Sequence, residues 1–214
     1  PVAGGIYGKA MRNGLWSLKT VNIRDYADDK HKTVDDTVFG GGSGMLMKPD
    51  IVANSLDKNI SKGEKIYYLS PKGKKFNQSF ANSLSKQNGI NLICGHFEGV
   101  DDRLLSTRNI EEISIGDYVL SGGETAAFVI LDAVLRLIPG VLGNKDSIKD
   151  ETFENSLLEY PQFTKPKIWE GKSVPDVLFS GDHAKIKSWR LSQSEDITRR
   201  QRPDLWEKYL KDKK

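Results

Sequence analysis

The sequence has very little cysteine and no long uninterrupted apolar run. Cys94 is the only cysteine among 214 residues, so an internal disulfide is impossible. This usage is typical of a reducing compartment, and we expect a cytoplasmic protein. Arg136 interrupts the longest apolar stretch, so no membrane-spanning helix and no membrane partner are predicted.

Several common cofactor and catalytic motifs are also missing. No Gly-x-Gly-x-x-Gly follows an apolar strand, which excludes the usual dinucleotide-binding loop. Residues 171–173 resemble the end of a phosphate-binding loop, but Pro166 stands where that loop requires glycine. No Gly-x-Ser-x-Gly elbow of a hydrolase is present. His31, His96 and His183 lack metal-ligand spacing, so no metal site can be assigned with certainty.

The charge of the chain is uneven along its length. Net charge is only +3, but residues 185–214 contain ten Lys or Arg and five Asp or Glu, which gives this segment +5. A basic segment of this kind suits a polyanion such as RNA. The alternative is a solvated helical face, which most charged runs turn out to be.

Strands and helices alternate along the first two thirds of the chain. Apolar runs predict strands at 65–69 and 90–94, and a strand entry at 15–18, whereas residues 70–73 predict a turn. Helices are predicted near 50–59, after Pro49, and near 77–87. This alternation predicts an α/β fold with a parallel sheet. Ligands of such sheets lie beyond the carboxyl ends of the strands, where loops 69–73, 94–99 and 114–123 would converge.

Composition divides the chain into three parts. Residues 1–142 form the α/β domain, residues 143–155 are polar without a period and predict a linker, and residues 156–214 predict a small, mostly helical domain. No internal repeat is visible.

The segment 114–124 is the first candidate site. Gly122 and Gly123 precede a long helical pattern, so their backbone N–H groups lie at a helix start that can accept a polar or anionic ligand. Taken alone, the segment is explained better by a tight loop before a core helix.

Two motifs carry a resemblance to a known family. Cys-Gly-His-Phe-Glu-Gly-Val-Asp-Asp-Arg at 94–103 and Ser-Ile-Gly-Asp-Tyr-Val-Leu-Ser-Gly-Gly-Glu at 114–124 resemble motifs of the bacterial tRNA (guanine-N1)-methyltransferases, the TrmD family of the SPOUT superfamily. Further matching segments are 31–36, 40–45, 68–73, 138–142, 178–183 and 202–205. The resemblance covers essentially the whole chain.

The resemblance implies a fold, a reaction and partners. The fold would be SPOUT-type α/β with a deep trefoil knot that binds S-adenosylmethionine. The reaction would be methylation of N1 of the guanine just 3′ of the anticodon in tRNA. A homodimer with shared active sites and an assisting Mg²⁺ ion are expected.

The same resemblance assigns the methyl-donor site. Glu98 would meet the cationic end of the donor, and the loops would hold adenine and ribose through backbone groups and apolar walls. The implied residues are Tyr68, Leu69, Ser70, Pro71, Gly95, Glu98, Ser114, Ile115, Gly116, Asp117, Tyr118, Val119, Leu120, Gly122 and Gly123.

Methylation of N1 also requires proton removal. By resemblance, Arg136 would bind the guanine O6 and stabilise developing negative charge, although a structural ion pair remains an alternative. Glu151 stands where the family usually has aspartate and is the first candidate for the base; Asp150 is the second. A carboxylate is a weak base, so N1 must be made more acidic or the carboxylate desolvated.

Contacts with tRNA are implied for a third set of residues. Phe97 stands where the family often has tyrosine and could stack on a flipped-out base. The others are His31, Asp35, Gly42, Gly44 and Arg190. Two other functions stay open at this point: a methyltransferase for the ribose 2′-oxygen, and an RNA-binding module without catalysis.

Overall fold

The computed structural model describes residues 2–142, 153 and 155–213. The chain divides into two compact units, Pro1–Gly143 and Asn144–Lys214. Most of the predicted linker 143–155 lies outside the described residues, as do Asp150 and Glu151.

The first unit is an α/β unit. In chain order it contains α1 (Gly5–Arg12), a 3-10 turn (Ile23–Tyr26), β1 (Asp35–Thr37), β2 (Met45–Met47), α2 (Pro49–Asn59), β3 (Ile66–Lys75), α3 (Gln78–Ser85), β4 (Asn91–Ile93), α4 (Asp102–Thr107), β5 (Glu111–Ser114) and α5 (Gly123–Leu135). Strands β4, β3 and β5 form a sheet in that order, and both pairings are parallel. Strands β1 and β2 form a separate antiparallel pair.

The first half of the central strand β3, residues 66–70, is buried on both faces, as expected for a parallel sheet between two helical layers. Tyr68 packs in one apolar cluster with residues of α2 and α4, including Val52 and Leu104. Its neighbour Tyr67 packs in a second cluster with residues of α3 and α5, including Ile130. Because successive side chains of a strand point to opposite faces, β3 contributes residues to both apolar clusters.

Local sequence signals explain where helices begin. Pro49 is the first residue of α2, where its missing N–H costs nothing. The Asn77 side chain caps α3 by accepting a hydrogen bond from Phe80 N at 2.9 Å. Both helices were predicted from the sequence, and α5 follows the long periodic stretch that was also predicted.

Two local predictions are wrong. Residues 15–18 form no strand, and Leu15 and Leu18 are exposed. Residues 70–73, predicted as a turn, belong to β3, which continues past an irregularity in its pairing with β5. A side chain on Gly73 would collide with the backbone of Glu112 and Ile113, so the extended segment lies directly against β5.

The second unit is built mainly from two helices. It contains β6 (Ile168–Trp169), β7 (Lys172–Ser173), a 3-10 turn (Asp176–Phe179), α6 (His183–Gln201) and α7 (Pro203–Asp212). Thr198 is fully buried; its hydroxyl donates to Ser194 O at 2.6 Å and accepts from Leu158 N at 2.8 Å. No helix among the described residues is long and apolar enough to cross a membrane.

Candidate active site at the carboxyl ends of the strands

Two of the three loops proposed from the sequence, those after β4 and β5, meet at one edge of the sheet. The third, 69–73, belongs to β3. Gly123 N donates a 2.9 Å hydrogen bond to Gly95 O, which joins the loop after β4 to the start of α5. His96 and Gly122 form an antiparallel bridge beside this bond. A Cβ on Gly123 would lie 2.7 Å from the Cα of Cys94, so only glycine permits this approach.

The loop after β5 carries exposed apolar side chains. Ser114 is buried, and its hydroxyl accepts a 3.2 Å hydrogen bond from Gly116 N. Beyond this turn, Val119 is 85% exposed, and Tyr118 and Leu120 are exposed as well. Asp117 is also exposed, whereas Ile115 is half-buried. Apolar surface at a loop tip has few structural uses and suits a ligand with an aromatic or apolar face.

The Tyr68 side chain packs against two glycines of the loop after β4, Gly95 and Gly99. A Cβ on Gly95 would lie 2.7 Å from the Tyr68 ring, and one on Gly99 would lie 2.8 Å from its hydroxyl. Burial is the main cause that raises the pKa of Tyr68 above its usual value. The remaining predicted residues of β3, Leu69 and Ser70, are buried, while Pro71 is exposed.

The β1–β2 pair lies against the same loop. Glu98 N donates to Met45 O at 2.9 Å, and Met47 N donates to Gly99 O at 2.9 Å. Asp35 pairs with Met47 across the two strands. A Cβ on Gly44 would collide with the Glu98 side chain. The structure therefore brings Asp35, Gly44 and Glu98 into one neighbourhood.

Arg136 lies at the other end of α5. This helix has 13 residues, so at 1.5 Å per residue its ends are about 20 Å apart. Arg136 follows the last residue of α5 and is half-buried. Within one chain, Arg136 is thus separated from the Gly95–Gly123 contact by the length of a helix.

The structure gives only local surroundings for the other predicted residues, and some of them lie outside the described residues. His31 is exposed, and its N–H donates to the Asp29 carboxylate at 3.0 Å. Gly42 is exposed on the loop before β2. Arg190 belongs to the second unit, where its guanidinium lies 4.7 Å from the centre of the Tyr160 ring. The candidate bases Asp150 and Glu151 are not described.

One pair at the centre of the site was missed by the sequence analysis. His96 Nε2 lies 2.7 Å from Glu124 Oε1. Partial burial acts to raise the pKa of Glu124, but the hydrogen bond to His96, a backbone hydrogen bond and the charge of His96 together lower it. The available signal was the position of Glu124 immediately after Gly122-Gly123, in the first turn of the helix.

Titratable groups show no arrangement typical of a metal site in the part of the chain that the structure describes. No three or more His, Cys, Asp or Glu side chains are grouped there to hold an ion.

Burial first, and then the charge of Glu124, raise the pKa of Cys94 to about 11, which favours the neutral thiol.

These features define a class of protein. Glycine-containing loops that meet beyond the carboxyl ends of parallel strands form a small-molecule or cofactor site in α/β proteins. Exposed apolar side chains and carboxylates, among them Glu98 and Asp117, border the site here.

Comparison with known proteins gives the family. A family model described as tRNA (guanine-1)-methyltransferase matches residues 1–208. A tRNA (guanine-N(1)-)-methyltransferase of Pelagibacter ubique is 72% identical over 211 residues, which cover 99% of this chain and 92% of that protein. Its counterpart from Brucella canis is 52% identical over 214 residues, which cover 100% of this chain and 87% of that protein. The chain belongs to the tRNA (guanine-1)-methyltransferase family.

Proposed function

We propose that this protein transfers a methyl group from S-adenosylmethionine to N1 of the guanine just 3′ of the anticodon in tRNA. The observation that carries the proposal is the Gly95–Gly123 contact, which joins two of the loops that we assign to the methyl donor. The two alternatives were ribose 2′-O-methylation and RNA binding without catalysis. They have less support, because the matching family model and the most similar relative described above are both named as guanine-N1 methyltransferases of tRNA.

The residues present fit the methyl donor. A Cβ on Gly95 would collide with the Tyr68 ring, and one on Gly123 would collide with the backbone of Cys94, so both glycines are needed for these loops to meet as they do. Tyr118, Val119 and Leu120 offer apolar surface for adenine and ribose. Glu98 is exposed and supplies a negative charge for the cationic end of the donor. The donor, when bound, supplies a methyl group already activated by a sulfonium.

The protein must therefore handle one proton and align the guanine. Arg136 would hold O6 and stabilise the negative charge that develops when N1 loses its proton. Glu151, or Asp150 as second choice, would accept that proton. N1 then forms the bond to the methyl carbon, while the electron pair of the broken carbon–sulfur bond stays on sulfur.

The separation of Arg136 from the donor loops supports a shared active site. About 20 Å of α5 lies between Gly123 and Arg136, which is longer than an arginine side chain can span. A second copy of the chain that places its own Arg136 near the donor would solve this problem. We therefore include a homodimer with active sites shared between subunits in the proposal.

The remaining parts of the proposal follow the family. The trefoil knot rests on membership of the family. The second unit would bind tRNA, since its last thirty residues have a net positive charge that can meet phosphate groups. A magnesium ion is expected to make N1 more acidic, but we assign it no ligands. A cytoplasmic location suits a tRNA substrate.

Methyl transfer to defined transcripts tests the function. The protein is incubated with S-adenosylmethionine labelled in its methyl group and with two tRNA transcripts, bearing guanine or adenine after the anticodon. We expect label only on the guanine transcript, recovered as 1-methylguanosine after digestion. Label on both transcripts, label on ribose, or tRNA binding without label would contradict the proposal.

The choice of base has its own test. Glu151→Gln should abolish turnover and leave the Kd for S-adenosylhomocysteine nearly unchanged, whereas Asp150→Asn should retain activity. Full activity of Glu151→Gln together with loss in Asp150→Asn would assign the role to Asp150.

A further inference from the structure

The turn formed by residues 96–99 has an unusual backbone. Gly99 N donates to His96 O at 3.0 Å and closes the turn. Phe97 has φ +56°, in the left-handed region that bulky residues rarely adopt. Its side chain is nevertheless 52% exposed, so it gains little from burial. A strained residue with an exposed aromatic ring persists only where its surroundings hold it, and such residues occur often at functional sites.

The start of α5 holds this turn on one side. The 2.7 Å contact between His96 Nε2 and Glu124 Oε1 joins residues 28 positions apart. The backbone bridge between His96 and Gly122 runs beside it. A Cβ on Gly122 would lie 2.8 Å from the His96 ring and 2.7 Å from Glu124 Oε2, so this glycine leaves room for the pair.

The β1–β2 pair holds the turn on the other side. Glu98 N donates to Met45 O, and Met47 N donates to Gly99 O, both at 2.9 Å. On that side the contacts are backbone hydrogen bonds, which side-chain changes would leave in place. The His96–Glu124 contact is therefore the side-chain interaction through which the turn can be altered selectively.

We propose that Glu124 and His96 are positioning residues, which hold the Phe97 ring where guanine requires it. The inference rests on the proposed function. Both side chains of the pair are about half exposed, and such a pair adds little global stability. Its effect should therefore be on the geometry of the turn and on turnover.

Two variants of Glu124 and one matched control test the inference. Glu124→Ala should lower kcat at least tenfold, change the KM for S-adenosylmethionine less than threefold and leave Tm near that of the wild type. Glu124→Gln keeps an oxygen that can accept from His96 and should recover most of the activity. Glu111→Ala removes a similarly exposed partner of Lys65 in the same unit, at 3.4 Å, and should leave kcat unchanged.

A double-variant measurement separates positioning of Phe97 from a general structural effect. In a Phe97→Ala background, Glu124→Ala should lower kcat by less than threefold, because the ring that it positions is already gone. Wild-type kcat in Glu124→Ala, full additivity with Phe97→Ala, or a kcat loss matched by a falling Tm would overturn the inference. Failure of the proposed function would look different, because the wild-type protein itself would then transfer no methyl group to guanine.

Discussion

The hydroxyl of Tyr7 donates a 2.7 Å hydrogen bond to Oδ1 of Asp132, across 125 residues of sequence. Trp16 Nε1 donates to Tyr7 O at 2.9 Å, so the same residue of α1 is held by a second contact. Asp132 lies one helical turn before Arg136 in α5. The contact therefore ties α1 to the helix end that carries the proposed guanine-binding arginine.

Tyr7→Phe should lower the free energy of unfolding by about 1 kcal/mol at pH 8, the usual net value of such a hydrogen bond. Burial first, and then the hydrogen bond and charge of Asp132, raise the pKa of Tyr7 from 10.0 to about 12. Because the folded pKa is raised, this contribution is complete below pH 10 and is lost as pH rises towards 12. Urea unfolding of both proteins at pH 8 and pH 11 measures the effect. An unchanged difference at the two pH values would contradict it.

Cys94 should react slowly with alkylating reagents in the folded protein. Its pKa of about 11, against 9.0 for an ordinary thiol, means about 100-fold less thiolate at neutral pH. Because it is the only cysteine, iodoacetamide incorporation at pH 8 reports this site alone. The reaction should be at least tenfold slower than in urea-unfolded protein. Equal rates, corrected for the effect of urea on a free thiol, would refute the assignment.

Gly44 should be intolerant of a side chain for a reason that Gly41 does not share. Both have positive φ, +110° and +79°, so alanine strains the backbone at either position. Only at Gly44 would the added Cβ collide with Glu98, whereas at Gly41 nothing lies within 4 Å. We expect Gly44→Ala to lower kcat/KM about tenfold more than Gly41→Ala, in steady-state assays with tRNA. Equal losses of kcat/KM in the two variants would mean that the position of Glu98 does not depend on the space left by Gly44.

The parts of the fold that could be predicted are those with local signals. α2 and α5 have clear periodicity and recognisable starts at Pro49 and Gly122-Gly123, and the first half of β3 is a continuous apolar run. β5 was not identified as a strand, because it has only four residues and two of them are glutamates. The second half of β3 contains Pro71 and Gly73, which indicate a turn unless the pairing with β5 is known.

Some features of the candidate site could likewise be predicted from the sequence, and others could not. The meeting of the loops after β4 and β5 follows from parallel topology, because the carboxyl ends of parallel strands lie at the same edge of a sheet. The His96–Glu124 contact could not be predicted, since no periodic pattern relates residues 28 positions apart. The distance of Arg136 from the loops likewise emerges only when the length of α5 is known.

Mixed dimers should show whether Arg136 acts on the donor site of the other subunit. We expect Arg136→Ala and the donor-loop variant Gly123→Val each to be inactive alone, with dimerisation checked by size-exclusion chromatography. After unfolding and refolding together, half of the dimers are mixed, and each would contain one intact site, giving about a quarter of wild-type activity. Separately refolded variants, combined afterwards, are the control. No recovery in refolded mixtures would place Arg136 in the site of its own chain.

The location of the methyl-donor site is the claim on which the other assignments rest. A crystal structure of the protein with S-adenosylhomocysteine tests it most directly. We predict that the adenosine lies between the loops after β4 and β5, hydrogen-bonded to backbone groups near Gly95 and between Ile115 and Gly123. Ligand density at any other place, with these loops unoccupied, would contradict the account.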